Sequence, residues 1–229
     1  MKLRWVYAVL FVFACGSAHA LDVKLDDLRD RIETVHNGQV VRVERVQDEE
    51  HAITGSFAKT SRKCPPFCIQ PNDAAPGVRT VSEVEVFDFL EGPVVSGKGV
   101  LVDARLPSWF EKGTIPGSVN MPFTVFESSP SDPALVDTLY KLGVRRRGEV
   151  NVVVRSIEKL GLLNGHLKSD DWDFTQAKEI VLWCNGPWCN QSPRAIHALM
   201  KLGYPAERLH YYRGGMQLWQ LLGLTTIIP

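Results

Sequence analysis

The chain has no excess of charge of either sign: 26 Lys and Arg residues are balanced by 26 Asp and Glu. It therefore lacks the basic field that a nucleic-acid partner requires, and the one basic run, Arg145-Arg146-Arg147, is short enough to be a solvated turn. Long apolar runs are missing as well. Past the first twenty residues none approaches the ~20 needed for a membrane helix, so no membrane span is expected in the mature chain. Internal repeats and low-complexity tracts are absent. The six histidines form no constellation, and none stands at zinc-finger spacing from a cysteine. Neither a metal nor an organic cofactor is expected. Cysteine is scarce too, five in all, which makes the place of each one informative.

The first twenty residues read as a leader. Lys2 and Arg4 form a basic start, the apolar stretch from Trp5 to Ala14 is too short to cross a bilayer, and Ala18-His19-Ala20 supplies a small-x-small cleavage signature. Cleavage after Ala20 leaves 209 of the 229 residues, with a formal charge of −2, because two basic residues and no acidic one depart. The expectation is a periplasmic or secreted protein. Cys15 leaves with the leader, so Cys64, Cys68, Cys184 and Cys189 remain, and in an oxidising compartment four cysteines allow three pairings. Local pairing, Cys64 with Cys68 and Cys184 with Cys189, is the simplest, with Cys64–Cys68 a possible disulfide beside Pro65 and Pro66.

Three regions follow: the leader at 1–20, an N-terminal extension at 21–80 with its Cys-Pro-Pro-Phe-Cys loop, and a domain at 81–229. In the extension, helical spacing at Val23, Leu25, Leu28 and Ile32 predicts a helix over 22–35. Residues 39–46 alternate as a strand with 52–58 as hairpin partner, and the prolines near Cys64 dictate a rigid loop. Past residue 80 the rhythm changes. Helices are expected at 81–90 (capped by Ser82), 132–142, 192–202 (ending at Gly203) and 216–222. Strands are expected at 100–103, 118–121, 150–154, 180–183 and 209–212, while 157–169 is left unassigned. Strands alternating with helices imply a central parallel sheet flanked by helices, an α/β fold whose sites form at the carboxyl ends of strands.

One such end carries chemistry. Ile180 to Trp183 runs into Cys184, and the chain turns through Asn185, Gly186, Pro187, Trp188, Cys189, Asn190 and Gln191 into a helix beginning near Ser192. A thiol between a buried strand and a helix N-terminus meets backbone N–H groups and the positive end of the helix dipole, both of which stabilise a thiolate. Cys184 is the candidate nucleophile and Cys189 a possible resolving thiol.

Five segments in order resemble the rhodanese-like sulfurtransferase family: Val100-Leu101-Val102-Asp103-Ala104-Arg105; Gly113-Thr114-Ile115-Pro116-Gly117-Ser118-Val119-Asn120-Met121-Pro122; Ile180 to Cys184; Ala195 to Tyr204; and Tyr212-Arg213-Gly214-Gly215-Met216-Gln217-Leu218-Trp219. The resemblance covers about residues 81–226 and implies a rhodanese-like domain in which Cys184 carries sulfane sulfur as a persulfide. It implies supporting roles for Asp103 and Arg105, with Arg194 as a more distant candidate. The partners it implies are a sulfane-sulfur donor and a thiol or other thiophilic acceptor, a periplasmic protein among them. The loop from Cys184 to Ser192 is about two residues longer than the family's usual loop and holds no arginine or lysine, which favours a persulfide or polysulfide on a larger partner over thiosulfate. Asn190 stands where related phosphatases need arginine. Two other readings stay open: a thiol-disulfide redox protein using Cys184 and Cys189, with Cys64 and Cys68 as a second pair, and a catalytically silent rhodanese-like binding module.

Overall fold

The computed structural model describes residues 21–147 and 171–229. The leader, the strand expected at 150–154 and the stretch 157–169 lie outside the described residues. In chain order the strands are β1 (Arg31–His36), β2 (Gln39–Glu44), β3 (Arg79–Val81), β4 (Gly99–Asp103), β5 (Ser118–Asn120), β6 (Arg145–Arg146), β7 (Trp172–Asp173), β8 (Glu179–Trp183) and β9 (Leu209–Tyr212). The helices are α1 (Glu83–Phe89), α2 (Pro107–Phe110), α3 (Phe123–Phe126), α4 (Pro133–Lys141), α5 (Gln191–Leu202) and α6 (Gly215–Leu221).

Five strands form one parallel sheet in the order β3-β9-β8-β4-β5, with β8 at its centre. Because side chains alternate across a strand, neighbouring residues enter different cores. Val100 and Val102 of β4 pack with Ile180, Leu182, Leu209 and Tyr211 beneath helix residues Leu135, Leu139, Ala195, Ile196 and Leu199. On the opposite face Leu101, Val181, Trp183 and Tyr212 pack with Phe87, Phe89, Met216 and Trp219. Burial on both faces explains why these strands read as unbroken apolar runs. The helix ends follow local chemistry. The Glu85 carboxylate accepts from the Ser82 backbone amide at 2.9 Å, in the manner of a capping box. Asp132 accepts from the Ala134 amide at 2.8 Å, and Gly203 closes α5 with a φ of 103°.

The extension departs from expectation. No helix forms over 22–35, and Leu28 stands 94% exposed. Residues 31–36 instead form β1, with Ile32, Thr34 and His36 buried on one face. The deciding signal is Asn37-Gly38, whose φ angles of 50° and 77° make the two-residue turn that pairs His36 with Gln39. The strand at 39–44 therefore finds its partner before it in the chain, not at 52–58, where only a 3-10 turn, Gly55–Ala58, is present. The hairpin packs into the domain: Ile32 and Val43 join the core of Leu101, Trp183 and Trp219. Its far end is tied by Thr225 N–H donating to the Glu44 carbonyl at 3.0 Å and by Arg45 Nε donating to the Leu222 carbonyl at 2.8 Å. Ile32→Ala is expected to lower global stability by about 2–5 kcal/mol, the cost of a large-to-small core change, within one cooperative urea transition. A separate early transition would mean that the hairpin folds apart from the sheet.

Candidate active site

The carboxyl ends of β4, β5, β8 and β9 meet at one edge of the sheet, and Cys184 follows β8 directly. The loop after it is held by its own backbone and by the start of α6. Met216 and Gln217 amides donate to the carbonyls of Cys184 and Asn185, each at 3.0 Å, and the Cys189 amide donates to the Gly186 carbonyl at 2.9 Å. This approach requires Gly215. Its φ is 54°, and an added Cβ would lie 2.2 Å from the Cys184 carbonyl oxygen.

Beneath the loop lies a buried ion pair. Asp103 and Arg105 are 0% and 1% exposed, and the guanidinium grips the carboxylate at two points, Nε to Oδ1 at 2.8 Å and Nη2 to Oδ2 at 2.6 Å. Nη2 also donates to the Gly113 carbonyl at 2.7 Å, and Nη1 reaches Asn185 Oδ1 at 3.5 Å. The Thr114 hydroxyl donates to Asp103 at 3.0 Å, while Asn120 Nδ2 donates to the carbonyls of Asp103 and Arg105. The guanidinium lies 4.7 Å from the Trp183 ring centre. One pair thus joins β4, β5, the 113–114 loop and the cysteine loop.

Cys184 and Cys189 are both thiols and both buried; Cys64 and Cys68 form a disulfide. Local pairing therefore holds for Cys64 with Cys68, while the two loop cysteines are reduced. The Ser192 hydroxyl, itself fully buried, donates to Cys184 Sγ at 3.1 Å. As a thiol, Cys184 donates to the Cys189 carbonyl at 3.3 Å. Burial alone pushes the Cys184 thiol up, but hydrogen bonds from Cys189, from the Ser192 hydroxyl and from the Ser192 and Gly186 amides bring it down to about 7. Cys189 moves the opposite way, raised well above the ordinary thiol range by burial and by the adjacent Cys184. Its Sγ lies 3.7 Å from Gln191 Oε1. The two thiols are thus drawn apart, Cys184 toward its anion and Cys189 toward its protonated form.

The other loop residues face different neighbours. Asn190 precedes α5 without a side-chain cap, so the first-turn amides stay open to the sulfur. The Pro187 carbonyl accepts from Gln70 N–H at 2.8 Å, and Trp188 Nε1 donates to Gln217 Oε1 at 2.5 Å. Arg194 is directed elsewhere: it forms a two-point pair with Glu127, at 2.7 and 2.6 Å, over the Phe123 ring.

Residues outside the segments that carried the resemblance complete the mouth. Phe57 packs on Cys184, Trp188 and Cys189, and its carbonyl accepts from Gln217 Nε2 at 2.9 Å. Phe67 meets the Trp188 ring edge-on at 5.5 Å. Arg62 lies 3.8 Å over the same ring. Only the Cys-Pro-Pro-Phe-Cys spacing hinted at this cover, because nothing in the sequence says where a loop will dock. Among the described residues no group of three or more His, Cys, Asp or Glu side chains could hold a metal ion, and no helix is long and apolar enough to cross a membrane.

Asp103→Asn is expected to cost about 3–5 kcal/mol, the penalty for stranding a buried charge, read as a shift in the denaturation midpoint. Glu127→Gln, which unpairs the half-exposed Arg194, is expected to cost ~1 kcal/mol or less.

Among curated proteins none matches the chain. Solved structures with a similar fold include a rhodanese-related protein from Thermoplasma volcanium, 17% identical, covering 66% of this chain and 99% of its own with a TM-score of 0.36. A human single-domain sulfurtransferase is 21% identical, covering 62% of this chain and 96% of its own at a TM-score of 0.36. A Saccharomyces cerevisiae single-domain sulfurtransferase is 18% identical, covering 62% and 89% at 0.35. The family model of the rhodanese-like domain matches residues 88–222, more than half of the chain, from the end of α1 through α6. The chain belongs to the rhodanese-like domain family.

Proposed function

We propose that this protein is an exported sulfurtransferase in which the Cys184 thiolate takes sulfane sulfur from a donor and passes it to a thiophilic acceptor. The observation that carries the reading is Cys184 itself, a buried thiol at the carboxyl end of the central strand, surrounded by neutral hydrogen-bond donors that favour its anion. In the loading step the thiolate attacks the outer sulfur of the donor. An Sγ–S bond forms, the bond to the leaving group breaks, and the electron pair departs with that group. The donors that stabilise the thiolate can then hold the anionic persulfide. The Cys64–Cys68 disulfide supports export, since such bonds persist in oxidising compartments. A small-molecule donor and a persulfide on a periplasmic protein both fit the donor's role in this step.

A second reading rests on the second buried free thiol of the loop, Cys189, beside Cys184. Here Cys189 resolves the persulfide by attacking Cys184 Sγ. The Sγ–Sγ bond forms, hydrosulfide leaves, and the protein ends as a disulfide that must be reduced before the next cycle.

Intact-mass spectrometry after exposure to a sulfane donor separates these readings. Gain of one sulfur atom, abolished by Cys184→Ser, is the expected result. Loss of two hydrogens that depends on Cys189 supports the redox reading, and no change in either mass leaves the silent binding module. The rate of sulfur loading is expected to rise with pH through about 7 and level off above it, because the thiolate is the attacking form and Cys184 is drawn down to about 7. A rate that starts to rise only above pH 8 would remove the thiolate argument.

A further inference from the structure

Any reaction at Cys184 requires a partner to reach a sulfur that the structure encloses. Cys184 and Cys189 are 2% and 5% exposed. Trp188 packs on both, and Phe57 of the N-terminal extension closes the same cluster. The extension crosses Trp188 between two fixed points. At one, Arg62 donates to the Ser56 carbonyl and lies 3.8 Å over the Trp188 ring. At the other, Gln70 N–H donates to the Pro187 carbonyl at 2.8 Å, and Arg213 donates to the carbonyls of Gln70 and Pro71 at 2.9 and 3.2 Å.

Between those points the chain closes a small ring. A disulfide joins Cys64 to Cys68, the Phe67 N–H donates to the Lys63 carbonyl at 3.1 Å, and the Phe67 side chain meets Trp188 edge-on at 5.5 Å. Phe67 is 37% exposed, so packing alone confines it weakly, and the disulfide restricts the backbone that aims it. That disulfide is open to attack. Cys64 is exposed and Cys68 half-buried, and exposed disulfides are the ones that exchange readily with thiolates. The protein thus holds a reachable disulfide on the cover and two enclosed thiols beneath it.

We infer that the Cys64–Cys68 disulfide is a second reactive site, reduced by external dithiols, and that its reduction loosens the Phe67 cover and opens Cys184 to its reactants. In the first step a thiolate of the dithiol attacks Cys64 Sγ. A mixed disulfide forms, the Cys64–Cys68 bond breaks, and Cys68 leaves as a thiolate with the electron pair. The second thiolate of the dithiol then attacks the dithiol's own sulfur in the mixed disulfide, closing its disulfide and expelling the Cys64 thiolate. The dithiol is oxidised by two electrons, the protein pair is reduced, and the two protons of the dithiol end on Cys64 and Cys68. While the ring is oxidised, Cys184 and Cys189 stay shielded from oxidants and thiols alike. The gate acts on access to Cys184, so it holds whether that thiol carries sulfur or pairs with Cys189.

The test follows alkylation of Cys184 by iodoacetamide, read by peptide mass mapping at constant pH, in the full chain with Cys184 and Cys189 as free thiols. Reduction of Cys64–Cys68 with dithiothreitol, removed before alkylation, is expected to raise the Cys184 rate about tenfold, the scale of one lost aromatic contact. The double variant Cys64→Ser, Cys68→Ser is expected to react at the raised rate without any reductant. Phe67→Ala is expected to do the same with its disulfide intact, and to respond little to dithiothreitol. Equal Cys184 rates in the oxidised and reduced chains overturn the proposal, as does a disulfide that dithiothreitol reduces only in urea. Amide hydrogen exchange separates a local gate from general loosening. Protection over residues 57–70 is expected to fall on reduction while β4 and β8 keep theirs, and a parallel loss in those strands overturns the proposal. A reduced chain whose Cys184 alkylates at the raised rate but gains no sulfur from a sulfane donor supports the gate and removes the sulfur-carrier reading.

Discussion

The Asp103–Arg105 pair is the constraint on which the site depends. A salt bridge in water contributes little, but this one is enclosed, and the guanidinium also donates to Gly113 and Asn185 while the carboxylate accepts from Thr114. Its partners come from β4, the 113–114 loop and the cysteine loop, with Asn120 of β5 bracing the backbone around it. Directional bonds hold these segments together, and they include the Arg105 contact to Asn185, next to the nucleophile.

Acidity at Cys184 comes from a different source than a neighbouring cation. The one guanidinium beneath the loop is neutralised by Asp103, so the thiolate rests on neutral groups: a hydroxyl, two amides and a second thiol. Such a site holds one negative charge with little attraction for a second. Sulfane sulfur arrives as a neutral atom and the electron pair leaves with the donor's remnant, so the persulfide carries the same single charge as the thiolate it replaces.

The rhodanese-like fold was legible because the sheet strands are buried on both faces and therefore stand out as apolar runs between helical segments. Ile180 to Trp183 located the reactive loop for the same reason. The extension was less legible. Val23, Leu25, Leu28 and Ile32 imitate a helix, and the two residues that decide otherwise, Asn37 and Gly38, act through turn geometry that a hydrophobic period does not register. Ser192 was placed in the loop by spacing, but its bond to the sulfur depends on how tightly α5 begins. The docking of Phe57, Arg62 and Phe67 on Trp188 is a tertiary event between segments more than a hundred residues apart, and no local pattern encodes it.

The β1–β2 hairpin has a consequence for how this protein is divided. Ile32 and Val43 lie in the same core as Leu101 and Trp183, and the strand end at Glu44 is stitched to Thr225, beyond the last residue matched by the family model. A fragment cut at residues 88–222 would keep every signature of the family and still expose one side of its own core. Evolutionary likeness and mechanical independence therefore have different borders in this chain, and the smaller border is the one drawn by likeness.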